Sequence, residues 1–148
     1  YIASTPEKVF EAITRVDIAR RYWGHENVSD WKPGSTWEHV RANEQRTVEL
    51  VGKVVEVAPP TRLVITWANA SQAADPASYS RVSFDIAAYE GMVRLTVTHD
   101  ELREGLSLLC RKGRKKGAQK VRSGCRYLLA DRLQSAGVGE TTEKADRL

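Results

Sequence analysis

The sequence predicts one α+β domain, a curved antiparallel β-sheet combined with helices. Three observations lead to this fold class. The chain has 148 residues, the length of one ordinary domain and enough to bury a core. Between residues 35 and 100, short runs alternate apolar and polar residues and are separated by turn residues. On either side of that region the residue pattern is helical.

Two short helices open the chain. Ser4 or Thr5 can cap the first helix, and Pro6 suits its first turn. Apolar residues three and four positions apart then form a stripe along the helix. Asp17 predicts the cap of a second helix, which runs to Trp23. A turn is predicted after it, at residues 31–34, where Pro and Gly are adjacent.

Five strands are predicted next, at residues 35–41, 47–57, 62–67, 79–87 and 92–100. The strand at 47–57 is long and rich in β-branched residues, and the last two strands alternate apolar and polar side chains, so one face of the sheet is expected to be buried. Gly52 interrupts the second strand and predicts a bulge or a close backbone contact. Short turns between the strands indicate an antiparallel meander.

The C-terminal part of the chain predicts a long helix. Residues 103–136 contain no Pro and no strand-like alternation, and Leu, Ala, Lys and Arg are frequent. Because Gly113, Gly117 and Gly124 weaken a helix, we expect the ordered part to span residues 113–135. We therefore predict a domain over residues 1–136 and a frayed tail over residues 137–148.

The positive charge of the chain is concentrated in one segment. Residues 1–101 carry 11 basic and 14 acidic residues, whereas residues 102–132 carry 10 basic and 2 acidic residues. Such a segment is typical of a solvated helix face, and it can also attract phosphate groups or an anionic membrane surface. No nucleic-acid-reading motif accompanies it, so we expect no specific binding to DNA or RNA.

No charged-then-apolar leader with a cleavage site is visible, so we expect no export signal, and no apolar run is long enough to cross a membrane. Cys110 and Cys125 are 15 positions apart, which corresponds to roughly 22 Å along one helix. That distance is too long for a disulfide, so we expect two free thiols and a cytoplasmic location.

Short motifs carry a family resemblance, in the order ASTPEKVFEAIT (residues 3–14), YW (22–23), WKPGSTW (31–37), VGKVVEVAPPTRL (51–63), ITW (65–67) and LTVTH (95–99). Together they resemble the START-like helix-grip superfamily, which includes the birch-pollen-allergen-like proteins. Within it, the sequence is similar to the bacterial branch related to the C-terminal domain of the heat-shock-protein ATPase activator. The resemblance implies a sheet wrapped around the long C-terminal helix, with two short helices after a first strand of which Tyr1-Ile2 remains.

The resemblance also implies a cavity between the sheet and the long helix. Members bind lipids, hormones or aromatic polyketides, and a few catalyse cyclisation or dehydration. We therefore expect a protein that binds a hydrophobic, aromatic or amphipathic small molecule without a cofactor. Two alternatives stay open, a chaperone-interaction module and an enzyme, such as a cyclase or dehydratase, that uses the same cavity.

Aromatic walls suit flat apolar ligands, so five aromatic residues are candidates for lining the cavity, namely Trp23, Trp37, Trp67, Tyr79 and Phe84. For each of them the alternative is ordinary core packing. His99 ends an inward-facing row and is either a ligand-binding or a structural histidine. The three histidines lack metal-ligand spacing, and no catalytic signature is present, so we predict neither a metal site nor catalytic residues.

The C-terminal segment departs from the family pattern at three positions. Ala118 follows Gly117 where the family has Trp, and Arg122 and Cys125 stand where leucines are expected. These residues are therefore predicted to leave a cavity with one cationic wall. Arg122 then either extends to solvent or pairs with a carboxylate, and the ligand in the second case is an amphipathic acid.

Overall fold

A computed structural model of the chain describes residues 1–101. The elements are α1 (Pro6–Thr14), α2 (Val16–Trp23), β1 (His25–Val28), β2 (Thr36–Arg41), β3 (Val48–Ala58), β4 (Arg62–Asn69), β5 (Ser80–Tyr89) and β6 (Met92–Asp100). Two single-turn 3₁₀ helices, Ala70–Gln72 and Pro76–Ser78, lie between β4 and β5. The predicted helix at 113–135, the tail at 137–148 and the candidates Ala118, Arg122 and Cys125 lie outside the described residues.

The six strands form one antiparallel sheet in chain order, so each strand pairs with the next one along the sequence. The sheet curls into a half-barrel, and the two helices accompany it in an α+β helix-grip fold. Ile2 pairs with Val93 of β6 through two backbone hydrogen bonds of 2.8 Å. The meander predicted from the alternating pattern is therefore confirmed. None of the helices within residues 1–101 is long and apolar enough to cross a membrane.

The start of α1 follows the sequence prediction, whereas the start of α2 does not. The Thr5 hydroxyl accepts a hydrogen bond from the Lys8 backbone N–H at 3.4 Å, and Pro6 occupies the first turn. The predicted cap at Asp17 is wrong because that residue already lies within α2. Its carboxylate instead accepts two hydrogen bonds of 3.1 Å from the guanidinium of Arg15, the residue before the helix.

Strand β1 is the element that the sequence prediction missed. Its residues, HENV, do not alternate between apolar and polar side chains. Glu26 is nevertheless only 2% exposed, and its carboxylate lies 3.5 Å from Arg20 and 2.7 Å from Arg46. Two ion pairs thus compensate for burying a charge at a strand position, a pattern that hydrophobic alternation does not register.

The core lies on the concave face of the sheet, beneath α1. Its buried members come from both helical and strand positions, namely Ile2, Val9, Ala12, Ile13, Trp37, Val54, Leu63, Ile65, Val82, Phe84, Ile86, Val93 and Val97. Alternate residues of β5 and β6 point into this core, as the pattern predicted. The aromatic end of the core forms the candidate site.

Candidate functional site

A concave site opens between α1, the β1–β2 connection and the inner face of the sheet. Its lining residues are Ile13, Trp23, Asn27, Trp31, Trp37, Leu63, Ile65, Trp67 and Phe84. All four tryptophans of the chain are among them. Asn27 is the only amide in this set, and none of these lining residues carries a formal charge. The described wall of the site is therefore mainly aromatic and aliphatic.

Gly52 allows Trp37 to reach across the sheet. Trp37 of β2 lies opposite Gly52 of β3, and its indole N–H donates a 2.8 Å hydrogen bond to the Thr66 carbonyl on β4. A Cβ atom on residue 52 would lie 1.9 Å from that carbonyl oxygen and 2.4 Å from the indole nitrogen. The close contact predicted at Gly52 is thus confirmed, and its consequence is a fixed indole in the wall of the site.

Trp31 enters the site from the β1–β2 connection. Its backbone is left-handed, with φ of 54°, which is rare for a bulky side chain. Its backbone N–H donates to the Ser29 hydroxyl at 3.1 Å, and its indole N–H donates to the Thr14 carbonyl at 3.0 Å. The sequence prediction placed Trp31 only in a turn, because the orientation of its side chain depends on this local backbone geometry.

The C-terminal end of α1 is held by three side chains, which we call the carbonyl clamp. The carbonyls of residues 12, 13 and 14 accept hydrogen bonds of 2.9, 2.7 and 3.0 Å, respectively, from Tyr22, Asn27 and Trp31. These carbonyls belong to the last turn, where helical partners run out. Burial raises the pKa of the Tyr22 hydroxyl, so that group remains a donor. Two of the three donors also line the site.

The orientation of Asn27 determines the tautomer of His39. The Asn27 Nδ2 group donates to the Ile13 carbonyl, so its Oδ1 atom faces His39 Nδ1 at 2.7 Å. His39 Nδ1 must therefore carry the hydrogen and donate it. Burial, followed by the nearby charge of His25, lowers the pKa of His39 to about 4, and Glu49 opposes this shift. His39 is thus a neutral ring at pH 7.

His25 stacks on His39, with ring centroids 4.4 Å apart and planes 8° apart. His25 Nδ1 donates to the Trp23 carbonyl at 2.9 Å, and His25 Nε2 lies 2.9 Å from a carboxylate oxygen of Glu49. Arg41 also donates a hydrogen bond to the Glu49 carboxylate. The hydrogen bond from Arg41, followed by the one from His25, lowers the pKa of the Glu49 carboxyl. Two partners, His25 and Arg41, therefore hold the partly exposed Glu49 carboxylate.

Several aromatic rings at the site contact each other at inclined angles. Trp37 and Trp67 have centroids 5.5 Å apart and planes inclined by 50°. Trp23 meets the His39 ring edge-on, at 4.7 Å and 63°. Trp37 and His39 are 6.4 Å apart at 62°. These spacings and angles are those of aromatic rings that pack against one another.

The structure brings together four of the predicted site residues, Trp23, Trp37, Trp67 and Phe84. Tyr79 and His99 are not among the lining residues. The Tyr79 hydroxyl donates to the Ala73 carbonyl at 3.1 Å, within the connection between β4 and β5. His99 Nε2 lies 2.6 Å from the Ser80 hydroxyl, and its ring is 5.9 Å from that of Trp67. Burial lowers the pKa of His99, whereas Asp100 opposes that shift.

Comparison with protein-family models shows which family the chain belongs to. The family model described as Activator of Hsp90 ATPase homolog 1-like protein matches residues 3–136. The chain belongs to this family. We refer to it below as the activator-homologue family. The resemblance read from the short motifs is therefore confirmed. No protein of curated function matches the chain significantly.

Solved structures share the fold of this activator-homologue protein. An HSP90 activator from Plasmodium falciparum, PFC0360w, is 21% identical with a TM-score of 0.60, over 76% of this chain and 81% of that one. The Aha1 dimer from Colwellia psychrerythraea is 21% identical with a TM-score of 0.58, over the same shares of 76% and 81%. Protein MLL2253 from Mesorhizobium loti is 24% identical with a TM-score of 0.56, over 70% and 74%. At these identities the likeness shows a common fold.

Proposed function

We propose that this activator-homologue protein binds a hydrophobic or aromatic small molecule in the tryptophan-lined site. The observation that carries the proposal is the convergence of all four tryptophans on one concave wall without a formal charge among the described lining residues. Apolar walls with a few placed polar groups are typical of small-molecule sites. The proposal involves no cofactor. A cytoplasmic location, expected from the two free thiols, is part of the same proposal.

The polar groups of three lining residues are already engaged, which supports an apolar ligand. Asn27 uses both ends of its amide on Ile13 and His39, and the indoles of Trp31 and Trp37 donate to backbone carbonyls. These groups hold the wall in place rather than reach for a ligand. Burial of apolar ligand surface against this wall then supplies the main driving force for binding.

A neutral fluorescent probe, N-phenyl-1-naphthylamine, tests the proposal. We expect saturable binding, with probe emission rising as the probe leaves water. Trp67→Ala removes one aromatic wall and should weaken binding about tenfold or more, because burying such a side chain contributes at least 1.5 kcal/mol. Tyr89→Ala is the matched control, since Tyr89 is 42% exposed at the far end of β5. Absence of binding, or equal losses in the two variants, would contradict the proposal.

Family membership supports a second candidate function, interaction with a chaperone. The family description and the HSP90 activator from Plasmodium falciparum both point in this direction. Such an interaction would use an outer surface of the domain. We expect Trp67→Ala to retain any stimulation of an Hsp90 ATPase while it loses the probe. A parallel loss of both activities would indicate that the site itself contacts the chaperone.

The candidates Ala118, Arg122 and Cys125 remain predictions. If Arg122 borders the site, its guanidinium adds a positive charge to an apolar wall, and an amphipathic acid becomes the preferred ligand. Ligand charge is therefore the property that distinguishes the possible occupants.

A further inference from the structure

We propose that a ligand enters the tryptophan-lined site by displacing the Trp31 indole, and that the site selects a planar aromatic molecule with a hydrogen-bond donor. This inference rests on the proposed binding function and names the class of ligand. It follows from three features of the described residues, namely the space at the site, the position of Trp31 in the fold, and the partner of its indole.

The first feature is the limited space at the site. The described lining side chains leave room for about one water molecule between them. An aromatic ligand is much larger, so a lining group has to move before the ligand can enter. The group that moves then vacates the volume that the ligand fills.

The second feature is the position of Trp31. Among the described lining residues, Trp31 alone lies outside a helix or strand. It is partly exposed, whereas Trp37 in strand β2 is only 1% exposed. Its φ of 54° is a costly conformation for a bulky side chain, and such strain is typical of functional segments. Trp31 is therefore the lining residue that can leave with the smallest loss of regular structure.

The connection that carries Trp31 is anchored on both sides of this residue. The Ser29 hydroxyl donates to the Thr36 carbonyl at 2.8 Å, and the Gly34 N–H donates to the Val54 carbonyl at 2.7 Å. Neither of these bonds involves the indole. The Trp31 ring can thus leave the site while the connection stays attached to the sheet.

The third feature is the partner of the indole. The Trp31 indole N–H donates to the carbonyl of Thr14, the last residue of α1, in a partly buried position. Departure of the indole removes this donor, which is costly unless another donor replaces it. A planar aromatic molecule with an N–H or O–H group replaces both the ring and its hydrogen bond. None of the described lining residues carries a formal charge, which favours a neutral ligand.

Indole and benzofuran test the inference on the full chain, because the two bicyclic molecules are similar in size and indole alone carries a donor. We expect indole to bind about tenfold more tightly than benzofuran, measured by calorimetry. In a ¹H–¹⁵N correlation spectrum, the Trp31→Phe protein assigns the Trp31 indole N–H signal. Saturation with unlabelled indole should speed the exchange of the Trp31 indole N–H with deuterium, whereas the Trp37 indole N–H should stay protected by its bond to the Thr66 carbonyl.

Trp31→Ala distinguishes a displaceable group from a fixed part of the wall. We expect this variant to bind indole about tenfold more tightly than the parent, because the ligand no longer competes with a tethered indole. The preference over benzofuran should remain. Lys32→Ala is the matched control, since Lys32 is exposed in the same connection, and it should bind as the parent does. Weaker binding by Trp31→Ala would overturn the inference. If this variant does not fold, the exchange of the Trp31 indole N–H in the parent decides.

The other outcomes overturn the inference and keep the proposed function distinguishable. If benzofuran binds as tightly as indole, or if bound indole leaves the Trp31 exchange rate unchanged, the displacement inference fails and the proposed function stands. If Trp31→Ala binds indole and the parent does not, the substitution has merely created a cavity. If N-phenyl-1-naphthylamine binds the parent but indole does not, only the displacement inference fails. If neither binds, both proposals fail.

Discussion

At the residue scale, the space around Gly52 determines how Trp37 is held. The hydrogen atom on this α-carbon leaves room for the indole to cross β3 and bond to the Thr66 carbonyl. Any larger residue displaces either the indole or the strand. Gly52 thus acts on the site without lining it.

Gly52→Ala should destabilise the protein by about 3 kcal/mol, because the added methyl group overlaps both a backbone carbonyl and the Trp37 indole. The measurement is the free energy of unfolding in urea. Lys53→Ala is the matched control, since the Lys53 side chain is exposed on the same strand, and its effect should stay within about 0.5 kcal/mol. Equal stabilities for the parent and Gly52→Ala would contradict this account of the contact.

His39 should make the protein less stable in mild acid. Its pKa is lowered from 6.5 to about 4 in the fold, so the unfolded chain binds more protons between these values. The contribution of His39 to the free energy of unfolding is complete above pH 6.5 and is lost as the pH falls toward 4. Between pH 7 and pH 5 the loss from His39 should be about 2 kcal/mol.

The matching experiment compares urea unfolding of the parent and of His39→Gln at pH 7, 6 and 5. We expect the variant to be less stable at pH 7 and to show a flatter pH profile. The pKa of Glu49 is lowered from 4.5, so its titration affects stability only below this pH window. His99, whose pKa is also lowered, makes both proteins less stable as the pH falls and therefore does not distinguish them. Parallel profiles would exclude His39 as the titrating group.

At the element scale, the carbonyl clamp joins α1 to α2, to β1 and to the β1–β2 connection. Tyr22 lies on α2, Asn27 on β1 and Trp31 in the connection, and each donates to one of the last three carbonyls of α1. The end of α1 lacks a glycine cap, and its last carbonyls instead accept hydrogen bonds from side chains of other elements. The clamp also sets the positions of two lining side chains.

Tyr22→Phe should cost about 1–2 kcal/mol, because it leaves the Ala12 carbonyl without its side-chain donor in a partly buried position. Thermal unfolding followed by circular dichroism measures the loss. Tyr89→Phe removes the same hydroxyl from an exposed position and serves as the control, with almost no expected change. Similar melting temperatures for the two variants would show that the hydroxyl of Tyr22 contributes nothing to stability.

Elements with strong periodicity were predictable from the sequence, and elements held by tertiary polar contacts were not. The alternation in β5 and β6 and the Thr5–Pro6 start of α1 were confirmed. β1 was missed because Glu26 is buried through ion pairs with residues distant in sequence. The cap of α2 was misplaced because Asp17 pairs with Arg15 instead of the helix backbone.

The site was predictable to the extent that its residues are aromatic side chains of regular elements. Trp23, Trp37, Trp67 and Phe84 were found in this way and lie together. Trp31 and Asn27 were missed. A left-handed backbone directs Trp31 into the site, and a hydrogen bond to the Ile13 carbonyl directs Asn27 there. Neither feature has a local sequence pattern.

At the scale of the whole molecule, charge is divided between two parts of the chain. Residues 1–101 hold 11 basic and 14 acidic residues, whereas residues 102–132 hold 10 basic and 2 acidic residues. Any attraction to nucleic acid therefore comes from a short basic segment without a reading motif. Charge alone attracts phosphates without distinguishing base sequences.

Binding to DNA should consequently be weak and should fall by about 100-fold or more between 50 and 200 mM salt. Fluorescence anisotropy with two duplexes of equal length and unrelated sequence measures both properties. We expect equal affinities for the two duplexes at each salt concentration. Selective binding to one duplex that persists at physiological salt would contradict the prediction.

The pairing of Ile2 with Val93 has a consequence for the order in which the chain folds. Within residues 1–101, every other strand pairing joins strands that are neighbours in the chain, so the meander can grow hairpin by hairpin. The Ile2–Val93 bridge instead closes a loop that includes almost all the described residues, and the entropy of that closure opposes it until the hairpins exist. We expect this bridge to form late and open early, so the Ile2 and Val93 amides should exchange with deuterium before those at the centre of β4.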